Sequence, residues 1–242
     1  MPKPKVAFYW CASCGGGGEE TVVDLHEDIL KVVGAVDIVL WPVALDFKRK
    51  DIEAMADGEI AVSFINGAVR LSEQEEWVEL LRRKSGLVVA FGSCAHLGGI
   101  PGLGNVANRE LIFQRKYTAV PTVDNPDETF PSTAITMDGY ELERPSFYDT
   151  VKTLDQSIDV DYYLPGCPPP PNLVWDAVMA ILEGKPPDKG PCWLRTKRCA
   201  TPAHATKRSR RNSPSRSSSA WPPARLTRRS ASFTRATSVW GR

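Results

Sequence analysis

Four of the six cysteines lie in stretches rich in glycine and proline. Cys11 and Cys14 stand in WCASCGGGGEE, Cys94 in FGSCAHLGGIPG and Cys167 in YYLPGCPPPP. Thiolates are ligands of iron–sulfur clusters and of structural zinc, and a CxxC pair is also the form of a redox dithiol. The first stretch therefore permits three kinds of site: a dithiol redox pair, a glycine loop that cradles phosphate, or one corner of a metal centre.

The first 190 residues alternate short apolar runs with helical patterns. Strands are predicted at 5–10, 36–41, 60–65, 87–91 and 160–164, and helices at 19–33, 72–84 and 172–182. Ser72, with Glu75 three residues later, predicts a capping box at the start of the second helix. This alternation predicts an α/β fold built on a doubly wound parallel sheet.

Each cysteine stretch begins where a predicted strand ends. Cys11 and Cys14 follow the first strand, Cys94 the fourth and Cys167 the fifth. Because the carboxyl ends of parallel strands share one edge of a sheet, we expect the four thiols to converge there. One buried cysteine is more often a small core residue, but four at matching strand ends favour a metal site.

The spacing of the cysteines bears on which site this is. A [4Fe-4S] cluster fits three separate loops better than zinc does, because structural zinc usually takes paired ligands close in sequence. A thioredoxin-like dithiol needs no further cysteines at the same edge. A Walker-type phosphate loop would end in Gly-Lys-Ser or Gly-Lys-Thr, whereas this one ends in Glu19 and Glu20, which would repel phosphate. The glycines instead allow close approach of the backbone to a cluster.

The near-neutral net charge of +1 hides two different compositions. Of the 30 Lys and Arg, 13 lie from Pro191 onward, whereas all 29 Asp and Glu precede it, so residues 1–190 carry a net charge of −12. We therefore expect one globular domain at 1–190 and a basic, Ser/Arg-rich tail at 191–242. Low hydrophobicity and one sign of charge predict that the tail is disordered.

Two further features bear on location. No apolar run approaches the eighteen residues of a membrane span. The strand-like run beginning at Lys5 leaves no room for a cleavable signal segment, so we expect a cytoplasmic protein. Cysteines in a cytoplasmic chain indicate metal or redox chemistry rather than disulfides.

The motifs WCASCGG, INGAVR, FGSCAHLGGIPGLGN and DYYLPGCPPPP resemble those of the small, electron-transferring subunit of cytoplasmic [NiFe] hydrogenases. The resemblance covers roughly residues 4–190 and is strongest to the F420-non-reducing (methyl-viologen-reducing) type. It implies a flavodoxin-like domain that holds the proximal [4Fe-4S] cluster. It also implies two partners: a hydrogenase large subunit that carries the nickel–iron centre, and a downstream iron–sulfur or flavin carrier of the heterodisulfide reductase type.

One position departs from that family. Its members usually have a cysteine directly before the Glu-Glu pair, where this chain has Gly17 and Gly18. In the family, that cysteine and the one matching Cys14 are the ligand pair. The resemblance therefore implies Cys14, Cys94 and Cys167 as cluster ligands, and we expect Cys11 to supply the fourth thiolate.

The resemblance stops at Gly190. Our hypothesis is that the tail from Pro191 is the family's C-terminus read out of frame, because shifting the codons by one base permits a CDTCPRN segment within 191–206. Cys192 and Cys199 would then have no evolved role. Alternatively, the basic tail is a nucleic-acid-binding arm, or the four cysteines hold zinc in a binding module.

Overall fold

The structure, a computed structural model, describes residues 3–14, 27–42 and 44–184, which all belong to one compact unit. The glycine run after Cys14 and the basic tail lie outside these ranges. The predictions that the tail is a separate segment from residue 191, that it is disordered, and that it is read out of frame therefore stay predictions.

Five parallel strands form the central sheet. They are β1 (Lys5–Trp10), β2 (Asp37–Leu40), β3 (Ile60–Asn66), β5 (Ser85–Phe91) and β9 (Tyr162–Leu164), arranged in the order β2-β1-β3-β5-β9. The chain therefore winds outward in both directions from β1, and β1 and β3 flank the switch point, as in flavodoxin-like folds. The predicted doubly wound α/β sheet is confirmed.

Seven helices accompany the strands in the described part of the chain. They are α1 (Asp28–Ala35), α2 (Arg49–Glu53), α3 (Ser72–Lys84), α4 (Gly92–Leu97), α5 (Gly99–Gly102), α6 (Arg109–Tyr117) and α7 (Pro171–Leu182). Single 3-10 turns lie at Leu103–Val106 and Leu154–Gln156. None of these helices is both long and apolar enough to cross a membrane.

The pleat of each strand divides the core between the two faces of the sheet. Val6 and Phe8 pack with α1 and α7 on one face, whereas Ala7 points to the other face and packs with α3. The same alternation runs through β3 and β5. Helices cover both faces, which makes the domain a three-layer α/β/α sandwich.

The remaining strands lie outside the central sheet. β4 (Val69–Leu71) pairs antiparallel with β8 (Phe147–Lys152), and β6 (Ala134–Met137) forms a hairpin with β7 (Tyr140–Glu143). None of these four strands was predicted, because they lie in turns and in an irregular stretch without a clear period.

The predicted capping box at Ser72 and Glu75 is wrong. Helix α3 begins at Ser72, so its third residue is Gln74, whose Oε1 accepts the backbone N–H groups of Arg70 at 2.9 Å and Leu71 at 3.0 Å. Glu75 faces another element and accepts the Tyr148 hydroxyl at 2.7 Å. The N-cap is Leu71, one residue earlier than predicted, so the side chain of Gln74 rather than that of Glu75 reaches it.

Element boundaries differ from the predictions by a few residues. Helix α1 extends two residues beyond the predicted end at Val33, and residues 19–26 of the predicted helix lie outside the described ranges. Strand β9 begins at Tyr162 rather than Val160. The Asp161 carboxylate there accepts the Val88 N–H at 2.9 Å, so a side chain takes one place in the strand ladder.

Candidate metal centre

All four predicted cysteines lie at the carboxyl edge of the central sheet. Cys11 directly follows β1, Cys94 stands three residues after β5 within α4, and Cys167 stands three residues after β9. Since β1, β5 and β9 run parallel, their ends face the same side. The strand topology thus brings together loops that are far apart in sequence.

Cys94 is the thiol at the centre of this edge. Burial raises its pKa most, the thiols of Cys167 and Cys14 raise it further, and the backbone N–H of Ile100 lowers it by hydrogen bonding to the sulfur. Cys94 is almost fully buried, whereas Cys14 and Cys167 are exposed. Two exposed thiols therefore lie near enough to a buried one to influence its ionisation.

Cys11 occupies a different environment. Only 4% of it is exposed, and it belongs to the core cluster on the α3 face that includes Ala7 and Trp77. Burial alone raises the pKa of its thiol, and its thiol is not among the groups that shift Cys94. The Cys14 and Cys167 thiols thus lie near that of Cys94, whereas Cys11 packs in the core on the α3 face.

Hydrogen bonds join the loops that carry Cys94 and Cys167. The Gly166 carbonyl accepts both the backbone N–H of Ser93 at 2.7 Å and its hydroxyl at 2.9 Å. Gly166 has φ of +138°, and a β-carbon there would lie 2.4 Å from the Cα of Pro169. Glycine before Cys167 is therefore required for this loop to turn toward Ser93.

The described ranges contain no group of three His, Cys, Asp or Glu side chains that could hold a single metal ion. Structural zinc needs about four ligands around one ion, each sulfur at roughly 2.3 Å. In an iron–sulfur cluster each thiolate binds its own iron atom, so the sulfurs stand further apart. Thiols from three separate loops at one sheet edge are the kind of ligand that such a cluster takes. Among the described residues, no fourth thiol affects the pKa of Cys94.

Asn66, the last residue of β3, was not predicted to take part in the site. Its Nδ2 is buried and has no hydrogen-bond partner in the described part of the chain. Its Oδ1 lies 3.6 Å from where a β-carbon on Gly92 would stand, two residues before Cys94. A buried donor left unpaired costs about 1–3 kcal/mol, and cluster sulfurs accept hydrogen bonds. An acceptor bound among the cysteine loops would satisfy the unpaired Asn66 Nδ2.

Arg70 is a second residue that sequence reasoning missed. It is 6% exposed, its guanidinium lies 4.2 Å from the centre of the Phe147 ring, and its Nε and Nη2 have no hydrogen-bond partner in the described ranges. Burial lowers its pKa, and Asp149 raises it. Asn66 and Arg70 both lie in the INGAVR stretch. Neither the spacing nor the composition of that stretch indicates that their side chains are buried.

His96 also lies beside the cysteines. Its ring packs on Tyr163 with the two ring centres 4.6 Å apart, and both ring nitrogens are buried without a partner in the described residues. Burial lowers its pKa, although Asp155 opposes this. His96 thus packs as a half-buried ring against Tyr163 of β9.

Exposed apolar side chains follow Cys94 along the chain. Leu97, Ile100, Leu103 and Val106 are 63–91% exposed and lie on α4, α5 and the adjoining 3-10 turn. We call these four residues the apolar ridge. An apolar group of this size beside a polar edge is typical of a surface that contacts another protein.

The chain matches known proteins over most of the described domain. The family model described as NADH ubiquinone oxidoreductase, 20 kDa subunit, matches residues 14–181. The iron–sulfur subunit of the F420-non-reducing hydrogenase of Archaeoglobus profundus is 41% identical over 191 residues, which is 78% of this chain and 59% of that protein. A vhu subunit of the F420-non-reducing hydrogenase of Methanocaldococcus jannaschii is 35% identical over 183 residues, covering 76% and 57%. The chain therefore spans somewhat more than half the length of these relatives.

A solved structure is similar as well. A chain of the NAD+-reducing [NiFe]-hydrogenase, crystallised in the H2-reduced state, superposes with a TM-score of 0.64 at 26% identity. The match covers 76% of this chain and 93% of that one. The likeness therefore extends over nearly all of the other chain.

Proposed function

The chain belongs to the NADH ubiquinone oxidoreductase 20 kDa subunit family, and from this premise we propose that it is the electron-relay subunit of a [NiFe] hydrogenase complex. Its relatives are hydrogenase subunits. In this role the chain holds a proximal [4Fe-4S] cluster and performs no bond chemistry of its own. It passes electrons between a large subunit with the nickel–iron site and a downstream carrier such as heterodisulfide reductase.

The observation that carries the proposal is the grouping of Cys14, Cys94 and Cys167 at one sheet edge. The effect of the Cys14 and Cys167 thiols on the pKa of Cys94 supports a site to which three loops contribute. A cluster supplies one-electron transfer, which no amino-acid side chain in the site provides. The same edge is where doubly wound sheets bind their ligands.

The chain's own residues would then hold, shield and tune the group. Cys94 would be its buried ligand, and the backbone N–H of Ile100 donates to the Cys94 sulfur. Asn66 would offer its unpaired amide donor, and the buried Phe91 would add to the apolar surroundings of the loop that carries Cys94. Hydrogen bonds to sulfur and low solvent access are the means by which a protein sets a cluster potential.

The apolar ridge supports a protein partner next to the site. It follows Cys94 directly, so a large subunit docked on it would stand close to the cluster. Electron transfer requires such closeness, and covering four exposed apolar side chains would stabilise the complex. We propose the ridge as part of the contact with the hydrogenase large subunit.

Anaerobic reconstitution with iron and sulfide, followed by metal and sulfide analysis, tests the cofactor. We expect one cluster per chain, lost in Cys94→Ser and Cys167→Ser. Asn105→Ala, which removes two hydrogen bonds to the Val151 backbone outside the cysteine loops, is the control that should keep the cluster. Stoichiometric zinc without sulfide would replace the proposal with the zinc-stabilised binding module.

Co-purification with a large subunit tests the partner. Leu103→Glu with Val106→Glu should weaken the complex without loss of the cluster, because both side chains are exposed and lie outside the core. Leu30→Glu is a matched control, since Leu30 is 73% exposed on α1. Equal loss of binding in both variants would contradict the assignment of the ridge.

A further inference from the structure

We propose that Cys11 is not a ligand and that this chain holds its cluster through three thiolates, those of Cys14, Cys94 and Cys167. One iron atom is then left without a cysteine ligand. The inference rests on the proposed function in that it requires a cluster to be bound. It goes further by naming the ligands and the chemical property that follows from them.

The pleat of β1 directs Cys11 into the core. Side chains of a strand alternate between its faces, so Ala7, Tyr9 and Cys11 share one face. That face is the one covered by α3, and Tyr9 stacks on Trp77 with ring centres 5.3 Å apart. The side chain of Cys11 continues this apolar row.

The backbone on both sides of Cys11 is held in place. Its N–H donates to the Asn66 carbonyl at 2.7 Å, and Ala12 and Ala68 exchange two backbone hydrogen bonds at 2.8 Å each. A β-carbon on Gly67 would lie only 2.8 Å from the Cys11 carbonyl carbon, so the two loops are in direct contact. These contacts fix the direction of the Cα–Cβ bond of Cys11, so the thiol starts from the apolar core on the α3 face.

The other three thiols have no such obstacle. Cys14 lies two residues after Ala12, the last residue of this stretch that is held by backbone hydrogen bonds. Cys14 and Cys167 are both exposed. Cys94 is joined to the Cys167 loop through the bond of Ser93 to the Gly166 carbonyl. Between Cys14 and Cys94 the sequence contains no further cysteine, and the remaining two, Cys192 and Cys199, lie in the tail outside the described ranges.

An iron atom without a thiolate is held only by sulfide and by a replaceable ligand. One-electron oxidation by ferricyanide then converts [4Fe-4S]2+ to [3Fe-4S]+ and releases one Fe2+, while ferricyanide is reduced to ferrocyanide. Charge and atoms balance in this step. Dithionite, as the one-electron reductant, together with added Fe2+ restores the four-iron form.

The test uses the full chain, reconstituted anaerobically, and compares it with Cys11→Ala and with the double variant Cys192→Ser/Cys199→Ser. Alanine is the choice at residue 11 because a buried cysteine packs as a small apolar group. We expect the same iron and sulfide content in all three proteins. Each should release one Fe2+ per cluster on ferricyanide treatment, show the electron paramagnetic resonance signal of a three-iron cluster, and recover with Fe2+ and dithionite.

Several results would overturn the inference. Loss of the cluster in Cys11→Ala, in a protein that keeps its cooperative thermal unfolding, would make Cys11 a ligand. Iron release confined to the double variant would make a tail cysteine the fourth ligand. Either result leaves the proposed function standing. Failure of the unaltered chain to take up iron and sulfide removes both the inference and the cluster assignment.

Discussion

Gly99 lies directly against the thiol of Cys94. A β-carbon at residue 99 would stand 2.6 Å from Cys94 Sγ and 3.0 Å from its Cα. Gly99 also has φ of +52°, a conformation that residues with a side chain rarely adopt. The turn between α4 and α5 therefore depends on glycine at this position to leave the sulfur in place.

Gly99→Ala should reduce cluster occupancy, because the added methyl group must push the Cys94 sulfur away from its position. We expect iron and sulfide content after reconstitution to fall by more than half. Gly102→Ala is a close control, since Gly102 lies in the same short helix and nothing stands within 4 Å of its β-carbon position. Equal occupancy in the two variants would show that the approach of Gly99 to Cys94 has no role.

Asn66→Leu should lower the reduction potential of the bound cluster. The variant removes the buried Nδ2 donor, whose hydrogen bond to sulfur would stabilise the reduced, more negative state. A neutral hydrogen bond is worth about 1 kcal/mol, so the shift should be tens of millivolts, measured by a redox titration followed spectroscopically. Asn66→Asp should lower the potential further by adding a negative charge. An unchanged potential in both variants would place the amide away from the cluster.

Glu75 gives the domain a pH dependence. Hydrogen bonds from Lys152 and then from Tyr148 lower the Glu75 pKa, and the Glu75 carboxylate in turn raises the pKa of Tyr148 to about 12. Because the folded-state pKa of Glu75 is lowered, its contacts stabilise the fold fully above the unfolded-state pKa of about 4.3. This stabilisation is lost as the pH falls through the lower, folded-state pKa. Because the folded-state pKa of Tyr148 is raised, its contact stabilises the fold fully below pH of about 10, the unfolded-state pKa. This stabilisation is lost as the pH rises through the folded-state pKa of about 12.

Glu75→Gln should make the free energy of unfolding less dependent on pH at both acid and alkaline pH. The network is partly exposed, so the change in the free energy of unfolding at pH 7 should be no more than about 1 kcal/mol. Urea titrations between pH 3 and pH 11 measure it. A variant whose acid and alkaline slopes match those of the unaltered protein would show that the Glu75 contacts do not stabilise the fold.

Asp161→Ala should destabilise the domain by about 2 kcal/mol, the cost of removing a charged hydrogen-bonding group. Asp161 Oδ2 accepts Arg82 Nη1 at 2.6 Å and the Val88 N–H at 2.9 Å, which joins α3, β5 and the start of β9. Asp28→Ala, which removes an exposed partner of Lys31, should cost less than about 0.5 kcal/mol. Urea unfolding with equal midpoints for the two variants would contradict this difference.

The sequence alone determined the parallel sheet and the edge at which the cysteines lie. The runs at β1, β3 and β5 are apolar enough to be recognised as buried strands, and the order of strands and helices leaves few topologies open. Since the carboxyl ends of parallel strands share an edge, the loops after β1, β5 and β9 had to meet. That argument needs residue types and spacing only.

Tertiary structure decided which of these cysteines face one another. Spacing and residue type do not separate Cys11 from Cys14, whereas the pleat of β1 and the backbone bonds of Cys11 to Asn66 and of Ala12 to Ala68 direct Cys11 into the core. The unpaired donor of Asn66 and the approach of Gly99 to Cys94 likewise depend on contacts between distant segments. Such contacts are set by packing in three dimensions, and no periodicity along the chain encodes them.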